Sequence, residues 1–542
     1  MPANPIGRRD LLKGAALAPA LPAQAAPGKP NVVFFMVDQL SAKWIEDPCR
    51  KVCPTPNLDK LRARSVSFSS AISSNPICCP TRATLATGLS TRGHGVLQNG
   101  YELDPAIPTF MRLLQQAGWR TGAFGKVHHH VHFHGVHPDY RPYGYDVVFN
   151  TEDARGGAWL DWVEKEHPRH YESALATIWP TEIPEFKAYG PGRVDLSSRI
   201  KKIRAAFQWA TREFPQNTAG TYTLPYPEEV SQTDWITGNA LDFIRRTDRA
   251  QPLLAHISYV QPHSPFCPPG AYMKEVDESQ IPAPIEPEWL DDPIAPRCFA
   301  ATEGARKVIP PNWRGYRHYY FADLVHLDRQ LGLVTKALEE SGRLDNTYLI
   351  FLSDHGELFM DHGFSGKGER HYDACVRVPL MIAGPGLRRG ESRAEIAQLE
   401  DIFPTVMEMA SLPLPKARRM GPYLKQEPEV YPGRSLLGLC RGEQPKDWRG
   451  AAYMESYNNI TTVRTGYWAR SVRTRDWRYS MYPRGEGEQL FDLRNDPHET
   501  KNLAADPAYK ASRAEMRDRL LEAVILQDYP HTPRALYALG VH

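Results

Sequence analysis

Asn31-Val32-Val33-Phe34-Phe35-Met36-Val37 runs straight into Asp38-Gln39, and Thr347-Tyr348-Leu349-Ile350-Phe351-Leu352-Ser353 runs into Asp354-His355. Both runs are short, β-rich and without strict alternation, which predicts strands buried on both faces. Leu253–Tyr259 reads the same way and leads into Gln261-Pro262-His263. Between these runs, Asp234–Arg246 and Tyr316–Glu340 carry helical periodicity, the second closing near Ser341-Gly342. Strands alternating with helices predict an α/β fold, a large, mostly parallel sheet sandwiched by helices. Ligands in open α/β sheets bind beyond the carboxyl ends of the strands. The three polar tips therefore predict one crevice, where Asp38, Asp354 and His355 offer two carboxylates and an imidazole to a divalent cation. Any one of them alone could merely cap a helix.

Further out, Pro413–Pro432 reads as a connector rich in proline and charge. Beyond it, Trp468–Tyr482 and Gln489–Leu493 predict antiparallel strands and Ala508–Gln527 a closing amphipathic helix. The expected organisation is a leader over 1–26, a large domain over 27–445 and a small α+β unit over 446–542. In the leader, Arg8-Arg9-Asp10-Leu11-Leu12-Lys13 resembles a twin-arginine export signal, and Ala23-Gln24-Ala25 a cleavage site. An exported protein, periplasmic or extracellular, is expected. The leader's apolar run is too short to span a bilayer, so no stable membrane insertion is expected.

The net charge of the 542 residues is only +2, and the leader holds that excess. A balanced chain offers no single-sign field for nucleic acid, so an anionic substrate has to be held by locally placed cations. The eight cysteines are too sparse for a disulfide scaffold. Cys49 and Cys53 are close enough in sequence to pair, and a disulfide there stays open. Cys78-Cys79-Pro80-Thr81-Arg82 opens a helix-compatible run, placing Cys78 near free backbone amides that stabilise negative charge. Vicinal cysteines are equally compatible with a buried thiol pair, a metal site or a redox disulfide. The stretch His128–His137 is rich in histidine, of which only one or two are expected to matter.

The string Cys78-x-Pro80-Thr81-Arg82-x-x-Leu85-x-Thr87-Gly88 resembles the sulfatase signature, in which the first cysteine is oxidised to formylglycine. Further sulfatase-like strings stand in the family's order: Thr55–Asp59, Gly125–His128, Pro262–Phe266, Ser353–Glu357 and Leu490–Pro497. The resemblance implies an alkaline-phosphatase-like fold and hydrolysis of sulfate monoesters, with a small-molecule or saccharide sulfate ester as substrate. It also implies a formylglycine-generating enzyme as maturation partner. One hydroxyl of the hydrated aldehyde at position 78 attacks sulfur and displaces the alcohol, and the second then expels sulfate.

By the same resemblance Asp38, Gln39, Asp354, His355 and residue 78 surround one divalent cation. Oxygen ligands favour Ca²⁺, with Mg²⁺, Mn²⁺, Fe²⁺ or Zn²⁺ also compatible. Gln39 stands where many sulfatases carry a second aspartate. Arg82 and Lys126 would hold formylglycine and sulfate oxygens, and His128 would serve as base. His263 and Lys367 would protonate the leaving alcohol and grip the sulfuryl group, and Asn99 would be an oxyanion donor. A phosphonate monoester or phosphodiester hydrolase of the same superfamily is the alternative, since the same residues suit it. A binding protein that kept the fold and lost catalysis is a second option, and a thiol-based metal or redox protein, resting on Cys78-Cys79 alone, a third. Pro180–Tyr226 and Pro282–Pro311 are expected as substrate loops, and Trp179, Trp289 and Trp313 suit stacking on a sugar or aryl ring and surface packing equally.

Overall fold

The computed structural model describes residues 28–130, 137–179, 184–300, 309–415, 431–457 and 468–527. The leader, the middle of the connector, His132 and His134, and parts of both expected substrate loops lie outside these residues.

Among the described residues fourteen strands form three sheets: β1 (Asn31–Val37), β2 (Val66–Phe68), β3 (Ala71–Ile72), β4 (Arg120–Gly125), β5 (Val147–Asn150), β6 (Leu253–Ser258), β7 (Thr347–Ser353), β8 (Leu380–Ala383), β9 (Glu391–Arg393), β10 (Ala397–Gln398), β11 (Ala451–Ser456), β12 (Ala469–Thr474), β13 (Trp477–Tyr482) and β14 (Gly487–Asp492). The large sheet has the order β5-β4-β6-β1-β7-β8-β2-β9. Its first five strands run parallel, and β8 is antiparallel to both of its neighbours. β1 lies at the centre with every residue buried. Its side chains divide by parity, as a period of two demands. Val33, Phe35 and Val37 enter one core cluster with the helices Gln232–Arg246 and Trp313–Glu340. Val32, Phe34 and Met36 enter the other, with Cys78–Thr87, Phe110–Gln116 and Ile402–Met409. Both faces are thus covered, which explains why the run showed no polar alternation.

Register brings the tips together. Val37 pairs with Ser353, Met36 with Ser258, and Gly125 with Ser258, so β1, β4, β6 and β7 end along one edge. Gly125 has φ +90°, and a Cβ there would stand 2.0 Å from the Ser258 carbonyl oxygen. Only glycine lets β4 end so close to β6 and turn Lys126 into the crevice.

The C-terminal strands form an antiparallel sheet in the order β11-β12-β13-β14. One face packs Tyr453, Val472, Tyr479 and Leu490 under Met516 and Leu520 of the helix Lys510–Leu526. The other packs Ala452, Met454, Tyr482 and Phe491 onto Phe299, Phe364 and Tyr372 of the larger part. Arg473 makes a bidentate pair with Asp373 at 2.7 and 2.8 Å across this junction. Cys49 and Cys53 are separate buried thiols. None of the described helices is long and apolar enough to cross a membrane.

Candidate active site and metal centre

Cys78 is fully buried at the first position of the helix Cys78–Thr87, where Ile77 has extended backbone and supplies no side-chain cap. Asn99 takes over that duty: its Oδ1 accepts from Cys79 N at 2.9 Å. The amide oxygen of Asn99 is therefore committed to the helix terminus, and only its nitrogen can serve as an oxyanion donor. At the other end Gly88, with φ 68°, closes the helix through its N–H to Thr84 O.

Around the Cys78 sulfur stand residues from distant parts of the chain. Lys367 Nζ lies 2.8 Å from Sγ and 3.0 Å from Gln39 Oε1. His355 Nε2 lies 3.3 Å from Sγ, and 3.6 and 3.7 Å from Oδ1 of Asp38 and Asp354. His355 Nδ1 donates to Gly356 O at 3.0 Å, which leaves the Nε2 lone pair for the centre. Ligand atoms of Asp38, Cys78, Asp354 and His355 all lie within 4.8 Å of one another, every one of these residues being buried. Asp38 Oδ1 accepts no hydrogen bond although it is buried. An orphaned carboxylate oxygen facing an imidazole lone pair is what a bound cation would satisfy, so the residues fit a metal ion.

Arg82 lies behind this cluster, with Nε on Asp354 Oδ2 at 2.9 Å and Nη2 on Asp38 Oδ2 at 3.2 Å. Its Nη1 donates to Lys126 O at 2.7 Å and Ser258 Oγ at 2.9 Å. Lys126 Nζ sits 2.5 Å from both Asp38 Oδ2 and Asp153 Oδ1. Burial opposes the charge on Lys126, but Asp153 and Asp38 outweigh it and hold its pKa well above the ordinary value. Burial pushes the Cys78 thiol up, yet Lys126, Lys367 and His355 outweigh it and carry its pKa well below that of a free thiol. Burial also raises the pKa of Asp354, but His355 and Arg82 bring it below the usual carboxylate range. A nucleophile at position 78 thus faces the ammonium groups of Lys126 and Lys367 and a metal-competent cluster, an arrangement suited to a tetrahedral oxyanion.

His128, with φ 57°, comes close enough to Cys78 and Asp153 for their ligand atoms to lie within 4.8 Å of one another. The other described histidines of its stretch have ordinary duties. Burial holds His129 neutral, His130 faces Glu102 at 3.0 Å, and His137 faces Asp161 at 3.3 Å. His263 is buried beside the half-exposed Trp179, their ring centroids 6.1 Å apart, and its Nδ1 donates to Ser264 O at 2.6 Å. Only Nε2 of His263 is left to meet a substrate.

The expected stacking role of Trp289 is corrected. It is 4% exposed, stacks on Phe364 at 5.0 Å, and donates Nε1 to His362 O at 2.7 Å. Trp289 is therefore core. Asp153 is a site residue that sequence reasoning missed; it stands three residues beyond the end of β5.

The sulfatase family profile matches residues 30–412. A second profile, that of the N-sulphoglucosamine sulphohydrolase C-terminal region, matches residues 361–525. The arylsulfatase of Clostridium perfringens is 26% identical over 507 residues, covering 91% of this chain and 94% of that protein. The choline-sulfatase of Rhizobium meliloti is 26% identical, with 90% and 85% covered. In fold the chain is similar to the phosphonate monoester hydrolase of Silicibacter pomeroyi, with TM-score 0.71, 21% identity, and 92% and 95% of the two chains covered. The architecture is thus alkaline-phosphatase-like, and with the family profile covering most of its length the chain belongs to the sulfatases, a family of sulfuric ester hydrolases.

Proposed function

We propose that the chain hydrolyses sulfate monoesters, small-molecule or saccharide, with Cys78 matured to formylglycine as nucleophile and a divalent cation held by Asp38, Gln39, Asp354 and His355. The observation that carries this reading is the Cys78 sulfur itself, buried at a helix N-terminus and met by Lys367 and His355 at 2.8 and 3.3 Å. In the mature chain an aldehyde hydrate would replace this thiol, offering one hydroxyl to attack sulfur and another to expel sulfate. The cation, Ca²⁺ by its oxygen-rich donors, would supply positive charge that acidifies the attacking hydroxyl and offsets charge on the transferring group. Arg82 holds the Asp38 and Asp354 carboxylates aimed inward. Lys126 and Lys367 bring charge to the sulfuryl oxygens, His263 Nε2 delivers a proton to the leaving alcohol, and His128 removes one from position 78 afterwards. The amide nitrogen of Asn99 adds a neutral donor.

Maturation would need a formylglycine-generating enzyme. The Arg8-Arg9 leader with its Ala23-Gln24-Ala25 site supports export of the folded protein. The test joins mass spectrometry of the Cys78 peptide with rates on a sulfate and a phosphonate monoester. Formylglycine mass and faster sulfate turnover, abolished in Cys78→Ser, are expected. An unmodified thiol in active enzyme would remove the nucleophile assignment. Faster phosphonate turnover would move the chain to the phosphonate monoester hydrolases.

A further inference from the structure

Glu357 follows the Asp354-His355 tip by two residues and is 2% exposed. Its Oε2 accepts a hydrogen bond from Gln39 Nε2. Its Oε1 accepts from Phe359 N at 2.9 Å and from Gly366 N. Backbone amides can only donate, and an ionised carboxylate can only accept. Whichever Glu357 oxygen faces Gln39 can therefore only accept, and Gln39 has to give it the NH₂ end of its side chain. The Gln39 oxygen is left on the other side, where Lys367 Nζ meets it at 3.0 Å and also reaches the Cys78 sulfur. The same Gly366 immediately precedes Lys367, and Leu358 N donates to Gly366 O at 3.1 Å to close that loop.

We infer that Glu357 is a positioning residue that fixes the orientation of the Gln39 amide, presenting oxygen rather than NH₂ to the cation, and that ties the Lys367 loop to the same point. This rests on the cation site proposed above. The chemistry is specific to an amide at position 39. A carboxylate there would present oxygen in either orientation, whereas an amide turned the wrong way offers two hydrogens and no lone pair to a metal. In Glu357→Gln the Phe359 and Gly366 amides keep the oxygen of the new side chain, so its NH₂ faces Gln39. Gln39 then has to rotate and accept, turning its own NH₂ toward the cation.

The test is calorimetric titration of chelator-stripped protein with Ca²⁺ and with Mn²⁺, alongside melting of the stripped proteins. Glu357→Gln should weaken cation binding ~10–100-fold, the usual scale for a partner that orients a metal ligand. Glu357→Asp keeps acceptor-only chemistry and should recover most of the affinity. Gln39→Ala should also weaken binding, and Glu357→Gln added to Gln39→Ala should cost nothing further, because there is no amide left to misorient. Wild-type affinity in Glu357→Gln, equal losses in Glu357→Gln and Glu357→Asp, or additive losses in the double variant would overturn the inference alone. Identical binding by wild type and Asp354→Ala would overturn the cation site, and the inference with it.

Discussion

Arg82→Met removes a buried guanidinium while keeping a side chain of similar length. Arg82 donates to four acceptors, on Asp354, Asp38, Lys126 O and Ser258. Asp38 keeps Lys126 as a partner in the variant, so the loss falls mainly on the fully buried Asp354. Stranding one member of a buried ion pair costs about 3–5 kcal/mol. At ~2.1 cal/mol/K per residue, unfolding of a chain of about 500 residues as one unit carries roughly 1 kcal/mol/K. The melting temperature in chelator should therefore fall by roughly 3–5 K. A bound cation would neutralise the same two carboxylates, so the drop should shrink at saturating Ca²⁺, with each tenfold gain in cation affinity returning about 1.4 kcal/mol. Arg82→Lys should recover only part, because one ammonium cannot span both carboxylates and the Lys126 carbonyl. The assay is thermal unfolding of all three proteins with chelator and with Ca²⁺. A Met variant melting within about 1 K of wild type in chelator would refute the buried-pair argument. An equal drop with and without Ca²⁺ would refute the sharing of carboxylates between guanidinium and cation.

The His263 and Asp323 sites each yield a further test. His263→Ala should slow an alkyl sulfate by part of the roughly 10²–10⁴-fold of general acid catalysis, and a nitrophenyl sulfate far less. Equal losses on the two substrates in steady-state kinetics would transfer the acid role to Lys367. Asp323 is fully buried, its Oδ1 accepts no hydrogen bond, and burial raises its pKa to about 8. A raised carboxylate pKa means that the folded state binds more protons than the unfolded state between about pH 4 and pH 8, so stability contributed by this group falls as pH rises through that window. Asp323→Asn removes that dependence and should melt higher than wild type at pH 8.5, with the advantage fading toward pH 4; a constant difference across the range would contradict it.

The strands and their tips were legible because burial on both faces leaves an unmistakable run, and β1 and β7 begin and end where that run does. The helix Trp313–Glu340 starts only three residues before the periodicity suggested. Trp289 was misread because an indole's exposure depends on what packs over it, here Phe299 and Phe364, and no local pattern encodes that. Lys367, expected to grip the sulfuryl group, is flanked by Gly366 and Gly368. It is held from afar: Ser456 Oγ donates to Gly368 O at 3.2 Å and Tyr482 OH to Glu369 O at 2.9 Å. The C-terminal sheet thus steadies the Lys367 loop of the crevice through contacts 88 and 113 positions apart in sequence.

Asp153 and Glu357 show why the remainder was hidden. Asp153 lies three residues past the end of β5, a strand the apolar runs did not announce. Glu357 was hidden although it stands inside a recognised string. Its duty depends on which end of the Gln39 side chain it meets, more than three hundred residues away in sequence. Residues that bring charge to the crevice have few chemical substitutes, so type and spacing announce them. Residues that orient those charges use carbonyls, amides and carboxylates found throughout the chain, and only their partners give them meaning. For this crevice the distinction has a measurable form: truncating Asp354 should abolish cation binding, whereas Glu357→Gln should leave a weakened site whose defect disappears once Gln39 is gone.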